Sequence, residues 1–145
     1  MAASSKSACR NICIAAALLM LPLTASAETL TGTTALGQLS GKNFRFKCSD
    51  NLHGYGRFER QGTAWANYRY SSATSNELER RATATLRAQG KEVCLVIRGF
   101  EIAGEICAPV RAKSAGNYRF GSNEEWCDVQ VIPRLPGYIQ SVESQ

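Results

Sequence analysis

The sequence predicts an all-β protein: a single small domain of about eight short antiparallel strands in a meander, closed into a barrel or folded as a sandwich. Three observations lead there. Apolar residues recur with a period of two, turn-forming residues punctuate the chain at close spacing, and the cysteines that follow a removable leader are even in number.

Residues 1–27 read as that leader. Lys6 and Arg10 precede an apolar run from Ile12 to Leu23, which closes on Ala25-Ser26-Ala27, the three-part pattern of a secretory signal peptide. The run falls short of the roughly 20 apolar residues a spanning helix needs. Glu28, and not a lipidation cysteine, follows the cleavage point. The expected product begins at Glu28, has no membrane span and is periplasmic or secreted. Loss of Lys6 and Arg10 lowers the formal net charge from +5 to +3. Loss of Cys9 and Cys13 leaves Cys48, Cys94, Cys107 and Cys127, which in an oxidising compartment read as two disulfides.

Residues 28–40, rich in Thr and Gly with no sustained period, are expected to be a mobile arm, and residues 133–145, with Pro133 and Pro136, a loosely attached tail. The β-domain then covers 41–132. Phe44, Phe46 and Cys48 alternate with Arg45 and Lys47; Ala82, Ala84, Leu86 and Ala88 alternate with Arg81, Thr83, Thr85 and Arg87. Each set marks a strand with one face on a core and the other in water, although the alanine content of "NELERRATATLRAQG" also suits a helix. "EVCLVIR", "NYRF" and "EWCDVQVI" are further strands by their β-branched and aromatic content. "RQGT", "SSATSN", "AQGK", "KSAGN" and "FGSNEE" supply turns. In an up-and-down meander Cys48 ends the first strand and Cys127 begins the last, so closure makes them neighbours. Cys94 starts one strand and Cys107 ends the next, at the opposite end. The predicted bridges are Cys48–Cys127 and Cys94–Cys107.

The chemistry on offer is sparse. His53, the sole histidine, lies in "SDNLHGYG" beside Asp50, Asn51, Gly54 and Gly56, and reads as part of a turn. With four cysteines oxidised, one imidazole and scattered acids make no three- or four-ligand metal site. No G-x-S-x-G, phosphate-binding loop or calcium-loop spacing is present. Glu124 and Glu125 are adjacent, so on a strand they would point to opposite faces and could not act as a pair. No catalytic residue, metal or cofactor is therefore expected. From Glu28 onward there are eleven arginines against four lysines, and Arg57, Arg69, Arg81, Arg87, Arg98 and Arg119 fall in predicted strands. Of these, Arg57, Arg69, Arg81 and Arg87 are the candidates for an anion-binding face, because guanidinium groups grip carboxylates and phosphates bidentately. Trp65, Tyr68, Tyr70, Tyr118, Phe120 and Trp126 are candidates to line a cavity. No basic run speaks for nucleic acid.

The stretches "LSGKNFRFKCSDNLHGYGRF", "RRATATLRAQGKEVCL" and "NYRFGSNEEWCDV" resemble a family of small exported proteins of unknown function from rhizobia and related alphaproteobacteria, and the resemblance covers Leu39 to Val131. That resemblance implies export and one domain, and brings no site residues. Size, export and strand count are also similar to those of small secreted eight-stranded inhibitors of bacterial metalloproteases, although the cysteine spacing differs. The expected function is a non-enzymatic exported domain that binds a cell-envelope or extracellular partner, such as an acidic glycan or glycolipid. Inhibition of an extracellular protease through the arm is the alternative, and hydrolysis a distant one.

Overall fold

The computed structural model describes residues 27–71, 78–99 and 102–137. The leader, save Ala27, and residues 138–145 of the tail lie outside the described residues. Nine strands and one helix are found among the described residues: β1 (Glu28–Leu30), α1 (Gly32–Leu39), β2 (Asn43–Cys48), β3 (Leu52–Phe58), β4 (Thr63–Tyr70), β5 (Arg80–Gln89), β6 (Glu92–Arg98), β7 (Gly104–Ser114), β8 (Asn117–Gly121) and β9 (Trp126–Ile132). Strands β2 to β9 pair antiparallel in chain order, and β9 returns to lie against β2. The result is a closed eight-stranded meander barrel, not a sandwich. β1 is extra: it pairs with β7 from Val110 to Ala112, just past Pro109, which lies opposite Glu92, the first residue of β6.

Both bridges form as the meander requires. Cys48 is bonded to Cys127 across the closing seam, and Cys94 to Cys107 across β6 and β7, each with α-carbons 3.9 Å apart. They sit toward opposite ends of the barrel. Cys107 does not end its strand, however. It is the fourth residue of β7, which continues through Pro109 to Ser114.

The interior is built from alternate residues. Phe44, Phe58, Ala64, Leu86, Val93, Val110, Tyr118, Phe120 and Val129 form the buried cluster, with Phe46, Ala66, Ala84, Leu95 and Val131 against it. Gly54 and Gly56, expected in a turn, are inside β3 and face Phe46 and Phe44 on β2. A β-carbon on Gly54 would meet the Asn67 carbonyl oxygen and lie 2.9 Å from the Phe46 ring; one on Gly56 would meet the Trp65 carbonyl oxygen and lie 2.9 Å from the Phe44 ring. Glycine there lets the aromatic rings lie on bare backbone, and Phe44 stacks on Phe58 at 4.3 Å between ring centroids.

Residues 28–40 are not an unstructured arm. Thr31 caps α1 by accepting a hydrogen bond from the Thr34 amide at 3.2 Å, and Ala35 and Leu39 are fully buried against the barrel end. The Gly32 amide donates to the Gly90 carbonyl at 2.8 Å, and the Tyr118 hydroxyl donates to Gln38 Oε1 at 3.0 Å. β1 and α1 therefore belong to the folded unit, and α1 plugs the end of the barrel opposite Cys48–Cys127.

Candidate anion-binding face

The register of β2 to β5 sorts the outward side chains into rows. Asn43 faces Arg57, Arg57 faces Trp65, and Trp65 faces Thr83. In the next row Gln130, Arg45, Tyr55, Asn67 and Arg81 follow one another across five strands; in the third, Asp128, Lys47, His53 and Arg69 do so across four. Neighbouring strands are about 4.8 Å apart. Arg45, Arg57, Arg69 and Arg81 thus surround a centre of Tyr55, Trp65 and Asn67.

What holds these guanidinium groups is mostly neutral. Arg45 donates from Nε to Gln130 Oε1; Arg57 donates from Nη1 to Asn43 Oδ1 at 2.9 Å; Arg69 donates from Nε to His53 Nε2 at 3.1 Å. The Arg81 guanidinium lies 4.2 Å over the Trp65 ring, the diagonal contact expected between residues two apart in register. Among the described residues the one carboxylate in ion-pair contact with this group is Glu59, 3.5 Å from Arg57 Nε. Each arginine is oriented yet keeps donors and charge for a ligand. Arg87 differs: it lies toward the far end of β5, opposite Cys94, and is neutralised by Glu105 of β7. Three of the four candidate arginines come together and the fourth does not.

His53 is in β3, not in the turn, which comprises Ser49, Asp50 and Asn51. Its Nε2 accepts from Arg69, so Nδ1 carries the proton and donates to the Asn51 carbonyl at 3.2 Å. Ser71 Oγ is also 3.2 Å from Nδ1. A protonated Nδ1 cannot take the serine proton, so this pair is not an activated nucleophile. Cys94, Glu105 and Cys107 are close enough to share an ion, but the two sulfurs are bonded to each other and offer no thiolate.

The aromatic residues do not converge on one cavity. Trp65 and Trp126 face outward, each under an arginine at 4.2 Å, whereas Tyr68, Tyr118 and Phe120 fill the interior. Arg119, above Trp126, makes a bidentate pair with Asp128 at 2.6 and 2.8 Å, and Lys113 adds a third bond at 3.1 Å. The Arg119 hydrogen bonds, then those of Lys113, hold the Asp128 carboxyl below the usual carboxylate range against the opposing effect of burial. A depressed folded value contributes stability that is present above the unfolded value of about 3.9 and lost as pH falls through the folded one. Asp128→Asn is therefore expected to lose on the order of 1 kcal/mol at neutral pH, the upper end for a partly exposed pair. Urea midpoints should show that deficit shrinking as pH falls below the carboxylate range.

Arg45, Lys47, Tyr55 and Asn67 were not among the candidates. Arg45 and Lys47 were visible as the polar members of the β2 alternation, but only the register joins them to Arg57, Arg69 and Arg81. No protein-family model, curated protein or solved structure matches the chain.

Proposed function

We propose that this is an exported, periplasmic or secreted protein that binds an acidic glycan on the outer face of β2 to β5 and does not transform it. One observation carries the proposal. Arg45, Arg57, Arg69 and Arg81 ring an aromatic and amide centre while being oriented by Gln130, Asn43, His53 and Trp65, and among the described residues only Glu59 forms an ion pair with any of them. Guanidinium groups supply bidentate bonds to anions, and Tyr55 and Trp65 offer ring surface to a sugar. The two disulfides support an oxidising, non-cytoplasmic compartment. The protease-inhibitor alternative would have to unpack α1, whose Ala35 and Leu39 are fully buried.

Calorimetric titration with oligogalacturonate tests the proposal. Binding should weaken steeply with salt, since long-range attraction is screened beyond about 8 Å at physiological ionic strength. Replacing Arg57, Arg69 and Arg81 together with Gln should cost at least about tenfold, as each lost charge-assisted contact is worth about 1.5–3 kcal/mol before solvent screening. Arg87→Gln, outside the face, should change little. Absence of binding at low salt to both oligogalacturonate and dextran sulfate, an unaffected triple variant, or a preference for glycolipid vesicles over the free glycan would overturn it.

A further inference from the structure

We infer that the glycan is a polyuronate, and that Glu79 occupies its carboxylate-binding point in the free protein; the inference rests on the function proposed above. Glu79 immediately precedes β5, where Asn67 faces Arg81 and Tyr68 faces Arg80. Its side chain reaches back over the face, and Glu79 Oε1 accepts a hydrogen bond from the Tyr55 hydroxyl at 3.0 Å. That hydroxyl in turn accepts from Asn67 Nδ2 at 3.2 Å. Tyr55 and Asn67 are the two residues of the middle row that lie between Arg45 and Arg81.

A phenol whose oxygen is already engaged by an amide donor has its own proton directed outward, and here the proton goes to a carboxylate. Glu79 is exposed and makes no ion pair among the described residues, so Tyr55 is what holds it there. A carboxylate attached to a sugar can make the same bond, with Arg45 and Arg81 on either side to supply what Glu79 does not use. A ligand must displace Glu79 to do so, and its apparent affinity is reduced by the fraction of molecules in which the point is filled. Sulfate esters, by contrast, could bind the arginines without needing the Tyr55 hydroxyl.

The experiment titrates wild type, Glu79→Gln, Tyr55→Phe and the double variant at low salt with oligogalacturonate and with dextran sulfate. All three variants are conservative changes, at the exposed Glu79 and the half-buried Tyr55, and melting temperature checks that they fold. Glu79→Gln should tighten oligogalacturonate about fivefold or more, the lower end of ordinary coupling between sites. Tyr55→Phe should weaken oligogalacturonate and leave dextran sulfate unchanged. In the Tyr55→Phe background Glu79→Gln should give no gain, because the contact that placed Glu79 is already gone. A gain that persists in that background is a plain charge effect and overturns the inference. So does a silent Glu79→Gln, an unaffected Tyr55→Phe, or binding of dextran sulfate alone, all of which leave the anion-binding face standing. Failure of the wild type to bind either polymer removes the proposed function itself.

Discussion

Replacing Cys48 and Cys127 together with alanine is expected to cost about 4–5 kcal/mol, and replacing Cys94 and Cys107 about 3 kcal/mol, by the chain-entropy relation for loops of these lengths. The difference comes from sequence separation: 79 residues for the first bridge and 13 for the second. The positions in the barrel reinforce it. Seven of the eight seams join strands that follow one another in the chain, so a local connection keeps those partners near each other even in the unfolded ensemble. The β2–β9 seam, running from Asn43 opposite Ile132 to Cys48 opposite Cys127, has no such help. Its closure carries the full entropy of bringing the ends of the barrel together. For a domain whose whole stability is of the order of 5–15 kcal/mol, losing that bridge removes a large part of it. Urea titration of the two double variants compares the costs directly, and amide exchange should show protection lost first in β2 and β9. Equal or reversed costs would mean that the seam holds without its covalent link.

Much of this architecture was legible because alternation and topology are coupled. Ala82 and Leu86 are buried while Arg81, Thr83, Thr85 and Arg87 are exposed, as the two-residue period over β5 requires. Once the strands form an up-and-down meander, closure alone brings Cys48 to Cys127. Glycine misled at Gly54 and Gly56. A local reading takes glycine next to Asp50 and Asn51 as turn chemistry, whereas its use in β3 is to accept the Phe44 and Phe46 rings from a neighbouring strand.

The face was legible only in part, for the same physical reason. Arg57, Arg69, Arg81 and Arg87 look alike along the chain, and what separates Arg87 is Glu105 from β7, 18 residues away. Glu79 and Tyr55 are 24 residues apart, and no periodicity links them. Such pairings belong to the register, not to any local pattern.

The segment 28–40 was misread because α1 has little helical propensity of its own. "GTTALGQL" contains two glycines and two threonines, and an isolated helix of eight residues is not stable in water. Its helicity must come from tertiary burial, chiefly of Ala35 and Leu39, both fully buried. Leu39→Ala tests that dependence, with an expected loss of about 2–5 kcal/mol, the usual range for a buried leucine. The cost depends on whether the surroundings can collapse. Leu39 lines a cleft of about 300 Å³ with Leu36, Phe58 and Leu86, so removing it enlarges an existing opening that the helix cannot fill by a small shift. Leu36→Ala, at a partly buried position on the same helix, should cost less, because part of its side chain already faces water. Urea unfolding of both variants gives the comparison, and limited proteolysis should cut near α1 sooner in Leu39→Ala than in wild type. A Leu39→Ala protein as stable as wild type, with α1 equally resistant to protease, would show that the plug is held by the Gly32, Gln38 and Thr31 hydrogen bonds and not by its apolar side chains.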